Sequence, residues 1–178
     1  MLAVIGVLVE PLTQFVNELQ AEGHSVYISN YNCAGQYSLA GTREAIETTK
    51  SRITKLDPKI VVEIPVEYAW HCPLVEAAEQ PIAAFLKGCD WRLPEIPLVN
   101  CESGLLFPHD VNLIKEQFLK QLANPVRWDK SIKTLLSEGC SRLVEVGYGN
   151  MLTKFGFFID RSVQHESYFG EKVAICAE

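Results

Sequence analysis

His71 has the setting best suited to chemistry in this sequence. It lies in Pro65-Val66-Glu67-Tyr68-Ala69-Trp70-His71-Cys72-Pro73-Leu74, after an apolar strand-like run and before a helical one. Loops at strand ends open onto clefts, so an imidazole placed there can act as acid or base. By local pattern alone a single histidine is more often structural. A second stretch, Gly23-His24-Ser25-Val26-Tyr27, begins like a nucleophile elbow but has Tyr27 where the strained turn needs a small residue. Ser25 also leads into a strand and not into a strand-to-helix turn, so it is not read as a nucleophile. The six cysteines include no C-x-x-C pair, which excludes the usual zinc and thioredoxin patterns. They read as reduced and mostly buried thiols; no metal and no cofactor is expected.

The elements that must position His71 follow from apolar periodicity. Residues 2–9 form a short β-type run. Leu12, Phe15, Val16 and Leu19 recur at helical spacing behind Pro11, and Gly23 ends that helix. Residues 26–30 and 36–40 read as strands around the turn Asn32-Cys33-Ala34-Gly35. Thr42 caps a helix over 43–55, Pro58 follows it, and 60–66 is a strand. The order β-α-β-β-α-β is the ferredoxin-like split pattern. Beyond it, 74–86, 110–122 and 128–138 read as helices, and 96–100 and 143–146 as strands. Alternating strands and helices imply a parallel α/β arrangement. Two strands do not make such a sheet, so both are expected to lack partners and to favour association.

Composition narrows the partners. The 178 residues carry a net charge of −6, which leaves no basic footprint for nucleic acid. The first basic residue is Arg43, and the apolar start is too short to span a bilayer. A cytoplasmic protein with no membrane association is expected.

Five segments in order resemble one family. Asn30-Tyr31-Asn32-Cys33-Ala34-Gly35-Gln36 is similar to the N-x-N-x-P-G-Q turn of malonyl-CoA:acyl-carrier-protein transacylases. The His71 segment resembles their histidine-bearing stretch, and Ile96-Pro97-Leu98-Val99-Asn100 the strand that follows. Gln121-Leu122-Ala123-Asn124-Pro125-Val126-Arg127-Trp128 resembles Q-L-x-x-P-V-x-W, and Glu145-Val146-Gly147-Tyr148-Gly149-Asn150-Met151-Leu152 resembles E-V-G-P-G-x-x-L. The likeness covers about residues 1–160. Ala34 and Tyr148 stand where the family often has proline.

The resemblance implies an α/β fold: a ferredoxin-like small subdomain (1–66) followed by the C-terminal part of an α/β-hydrolase-like acyltransferase domain (67–161), with 162–178 an unassigned tail. It implies transfer of malonyl from CoA to acyl carrier protein, in fatty-acid or polyketide synthesis, through a covalent acyl-serine. His71 would be the base and the backbone carbonyl of Asn100 its orienter. Trp70 would limit acyl size, or fill a core gap. Asn32 and Gln36 would line the acyl cleft, or serve only the turn. Arg92 and Arg127 are the cationic candidates for the malonyl carboxylate, with surface positions the other reading. The family's G-H-S-x-G serine falls upstream of Met1. The expected partners are therefore malonyl-CoA, acyl carrier protein and a separate N-terminal half bearing that serine, with the chain inactive alone. The rival expectation is a non-catalytic carrier-protein docking module.

Overall fold

The computed structural model describes residues 1–168. Its first part contains β1 (Leu2–Ile5), α1 (Val9–Ala21), β2 (Val26–Cys33), β3 (Gln36–Gly41), α2 (Arg43–Arg52) and β4 (Ile60–Glu63). The four strands form one sheet in the order β2-β3-β1-β4, with every pair antiparallel. That is the arrangement the β-α-β-β-α-β reading requires. Leu2 and Val4 of β1 are fully buried and share one face of the strand. Leu12, Phe15, Val16 and Leu19 of α1 are all buried against it. Each such side chain stabilises the fold by about 1.5–3 kcal/mol relative to exposure.

Local chemistry sets the element ends. β1 stops at Ile5, short of the expected residue 9, because Gly6 turns the chain at φ +92°. A side chain at that position would sit 2.9 Å from the Lys59 amide nitrogen. β2 runs to Cys33, three residues past the expected end, and leaves Ala34-Gly35 as the hairpin tip. The Thr42 hydroxyl caps α2 by accepting from the Ala45 amide. A 3-10 turn over Ile53–Leu56 completes this helix, and Asp57 at φ 48° ends it.

The second part holds a 3-10 helix (Pro73–Ala78), α3 (Glu79–Leu86), β5 (Val99–Asn100), β6 (Leu105–Leu106), α4 (Val111–Lys120), α5 (Trp128–Ser137), β7 (Arg142–Val146), α6 (Met151–Ile159) and β8 (Gln164–Tyr168). The single helix expected over 74–86 is divided. Pro81 has no N–H to offer the Ala77 carbonyl, so the α-helical ladder begins only at Glu79. The strand expected over 96–100 shrinks to Val99–Asn100, with Pro97 interrupting what precedes it.

Both strands expected to be unpaired have partners. β5 forms an antiparallel hairpin with β6. β7 pairs in parallel with β8, from Arg142 opposite Gln164 to Val146 opposite Tyr168. β8 falls in the stretch left unassigned by sequence, because Gln164-His165-Glu166-Ser167-Tyr168 has almost no apolar character. α6 was also unforeseen: its apolar stripe of Met151, Leu152, Phe155, Phe158 and Ile159 is confined to nine residues directly behind the turn-forming Gly147-Tyr148-Gly149-Asn150. Much apolar surface remains uncovered on this part, including Val146 (84% exposed) and Ile96 (75%). Among the described residues no helix is long and apolar enough to cross a membrane. Cys33 and Cys72 are buried, Cys89, Cys101 and Cys140 are half-buried, and all five are free thiols. Cys176 lies outside the described residues.

Candidate active site

The His71 loop is held at both ends by its neighbours. Past β4, the Ile64 amide donates to the Met1 carbonyl at 2.9 Å. Tyr68 and Trp70 then stack edge to face, their centroids 5.5 Å apart. Pro73 restricts the residue before it to extended backbone, and Cys72 obeys, at φ −151° and ψ 167°. The Cys72 side chain is fully buried and its thiol donates to the Ala69 carbonyl at 3.1 Å. Between half-exposed Trp70 and buried Cys72, His71 takes φ 60°, the left-handed region that side-chain-bearing residues avoid. Such a conformation costs on the order of 1–3 kcal/mol and is found where a local geometry is enforced.

That backbone aims the imidazole at the end of α4. His71 Nδ1 lies 2.8 Å from the backbone oxygen of Gln121. A carbonyl only accepts, so Nδ1 carries the proton and donates. Nε2 is then left with its lone pair, the state a general base requires. The expected orienter, Asn100, is not the one observed. Its carbonyl is taken by the Gly104 amide at 2.7 Å in the tight β5–β6 turn. Its side chain, however, reaches the Gln121 amide group. Gln121 was within a segment the sequence singled out, but a role played by a backbone oxygen leaves no side-chain signature.

The segment after Gln121 is tied to the first sheet. The Tyr31 amide donates to the Val126 carbonyl and the Val126 amide to the Ser29 carbonyl, both at 2.8 Å. Val126 thus makes a parallel bridge with Asn30 on the outer edge of β2. A cleft of about 260 Å³ opens beside His71, walled by Tyr27 and Tyr31 of β2, Gln20 of α1, Pro73 and Asn124.

The other candidates are dispersed. Asn32 ends up in β2 and Gln36 starts β3, at the far hairpin, and neither lines the His71 cleft. Trp70 is 39% exposed and packs on Tyr68. Ser25 precedes β2, where its carbonyl accepts from the Thr42 amide, in keeping with its reading as a strand entry. Arg92 is at the surface, paired with Asp90. Arg127 is half-buried instead: its guanidinium stacks 3.7 Å above the Tyr31 ring and meets Asp129 at 3.4 Å. Among the described residues no group of three His, Cys, Asp or Glu side chains could hold a metal ion.

The overall fold recurs in known proteins. Over 158 residues, 86% of this chain, it is 32% identical to the malonyl CoA-acyl carrier protein transacylase of Escherichia coli K12. An acyl-carrier-protein S-malonyltransferase structure from Burkholderia pseudomallei superposes on 99% of the chain with a TM-score of 0.90 and 26% identity. The chain is a homologue of the malonyl CoA-acyl carrier protein transacylases. A transacylase solved in complex with a type II polyketide synthase acyl-carrier protein superposes on 97% of the chain, with a TM-score of 0.88 and 26% identity. The chain spans 49% of the Escherichia coli transacylase, 57% of the Burkholderia chain and 55% of the one in the complex. No protein-family model matches the chain. Within this transacylase fold the β-α-β-β-α-β unit and the β7–β8 pair are parts of one α/β architecture.

Proposed function

We propose that this chain supplies the general-base half of a malonyl-CoA:acyl-carrier-protein transacylase site, serving fatty-acid or polyketide synthesis. His71 Nε2 takes the proton from a serine hydroxyl as that oxygen attacks the malonyl thioester. The tetrahedral intermediate collapses, the protonated imidazole returns the proton to the departing CoA sulfur, and malonyl-serine remains. The pantetheine thiol of acyl carrier protein then attacks that ester, with His71 first accepting the thiol proton and then giving it to the serine oxygen. The nucleophile in this reading is a serine on a G-H-S-x-G segment, a pattern these 178 residues do not contain, so by themselves they should transfer no malonyl. The observation that carries this reading is the strained His71, with Nδ1 bonded to a backbone carbonyl and Nε2 free of that bond.

The test mixes the chain with a serine-bearing transacylase half, radiolabelled malonyl-CoA and holo acyl carrier protein. Label should reach the carrier only when both halves are present, and His71→Ala should lower the rate by on the order of 10³-fold or more. Transfer that survives His71→Ala, or a stable malonyl adduct on this chain alone, overturns the proposal. A second reading, a non-catalytic carrier-protein module, draws on the neighbour solved with its acyl-carrier protein. It predicts carrier binding that is unaffected by His71→Ala and no transfer in the mixture.

A further inference from the structure

We infer that Asn100 is a positioning residue for His71, acting through Gln121. The catalytic meaning of the inference rests on reading His71 as the base; the positioning itself does not. The argument begins at the end of α4. The last carbonyls of a helix have no partner inside it, and the last turn frays. Gln121 follows Lys120, the final α4 residue, so its carbonyl is one of these free acceptors. This makes it available to the His71 N–H. It also makes it a poor anchor, unless something outside the helix holds it.

Asn100 and Cys101 provide that hold. Asn100 is completely buried. Its Oδ1 accepts from the Glu102 amide at 2.9 Å and from Gln121 Nε2 at 3.4 Å. Its Nδ2 donates to Gln117 Oε1 at 3.4 Å. The Cys101 thiol donates to Gln121 Oε1 at 3.3 Å, so both ends of the Gln121 amide are engaged. Gln117 and Gln121 are four residues apart, one turn of the helix, and therefore present their side chains to the same neighbour. A buried amide is costly unless its hydrogen bonds are made. Here those bonds join the β5–β6 turn to a fraying helix end. The result is a relay: Asn100 fixes the Gln121 side chain, which fixes the Gln121 carbonyl, which selects the Nδ1–H tautomer of His71.

The test reads the tautomer directly, by nitrogen-15 NMR of the His71 ring in the intact chain at alkaline pH. In the unmodified protein the Nδ1–H form should dominate. Gln121→Met keeps the backbone carbonyl and the side-chain volume but removes the tether. The ratio of Nδ1–H to Nε2–H forms should fall about fivefold, the equivalent of one net hydrogen bond. Asn100→Asp keeps both acceptor contacts and should retain most of the ratio, whereas Asn100→Leu should lose it. The Asn100→Leu, Gln121→Met double variant should be no worse than either alone, because both delete the same bond. Should Asn100→Leu fail to fold, Gln121→Met and Asn100→Asp decide the matter between them. An unchanged ratio in folded Gln121→Met overturns the inference. So does an equal loss in Gln117→Met, which would assign the effect to packing at the helix end. If the tautomer shifts as expected while the reconstituted activity ignores His71, the relay stands and the base assignment fails.

Discussion

Replacing His71 by glycine should leave a more stable chain than replacing it by alanine. Both variants lose the imidazole, its 2.8 Å bond to the Gln121 carbonyl and its part in the cleft wall, so those losses cancel in the comparison. What differs is the backbone at φ 60°. Alanine keeps the left-handed penalty of about 1–2 kcal/mol, which glycine does not pay. Glycine loses about 0.5–1 kcal/mol of extra chain entropy on folding. The net advantage is about 0.5–1 kcal/mol, or a few degrees in Tm for a chain of this length. Asparagine, which tolerates this region, should fall between the two. Urea denaturation followed by far-ultraviolet circular dichroism, with the three variants run side by side, measures the order. An alanine variant as stable as the glycine one would mean the loop relaxes freely. The strained backbone would then have no part in aiming the ring.

Three further outcomes are expected. Burial, reinforced by the nearby Asp129 charge, pushes the Cys33 thiol from its ordinary 9.0 to about 11. Between those values the unfolded chain has released the proton while the folded one retains it. Stability should therefore fall as pH rises from 9 to 11, by up to about 2 kcal/mol, and Cys33→Ala should flatten that limb in pH-dependent denaturation. Val146 ends β7 at 84% exposure, so the chain should self-associate with concentration. Val146→Lys should shift sedimentation velocity profiles toward monomer, and equal association in both would place the sticky surface elsewhere. Gly104→Ala meets φ +75° and would place its Cβ 2.3 Å from that of Lys130. A loss of about 2 kcal/mol or more is expected in thermal denaturation, and a neutral effect would contradict the packing of the β5–β6 turn on α5.

The sequence showed the first part of the fold well because its signals were local and redundant. The α1 stripe, the Thr42 cap and the alternation in β1 to β3 all point the same way. β8 was hidden because its stability comes from pairing with β7 and packing against α6, not from its own polar residues. α6 was hidden for another reason: its stripe spans only nine residues, directly after a glycine-rich turn, which is too short a run to stand out. In the site, His71 stood out through its proline-flanked setting. Its partner did not, because the relevant atom is the Gln121 backbone oxygen, and every residue has one. Asn100 drew notice for the wrong group: its carbonyl closes a turn, while its side chain does the holding. Arg127 read as a candidate for the malonyl carboxylate or as a surface cation, and Tyr31, distant in sequence, gives it a stacking face that neither reading included.

The bridge between Val126 and the edge of β2 has a consequence for how such chains can diverge. Surface connections ordinarily absorb insertions at small thermodynamic cost. The stretch from Gln121 to Val126 does not have that freedom. One end is registered against the Ser29 and Tyr31 backbone, and the other presents the carbonyl that His71 meets. It behaves as a strut of fixed length. Adding or removing one residue displaces the chain by up to about 3.8 Å, whereas an N–H···O bond tolerates only about half an ångström. Homologues with a working histidine should therefore vary in side chains along this strut while keeping its residue count. Length changes should gather in loops that end on neither β2 nor the histidine.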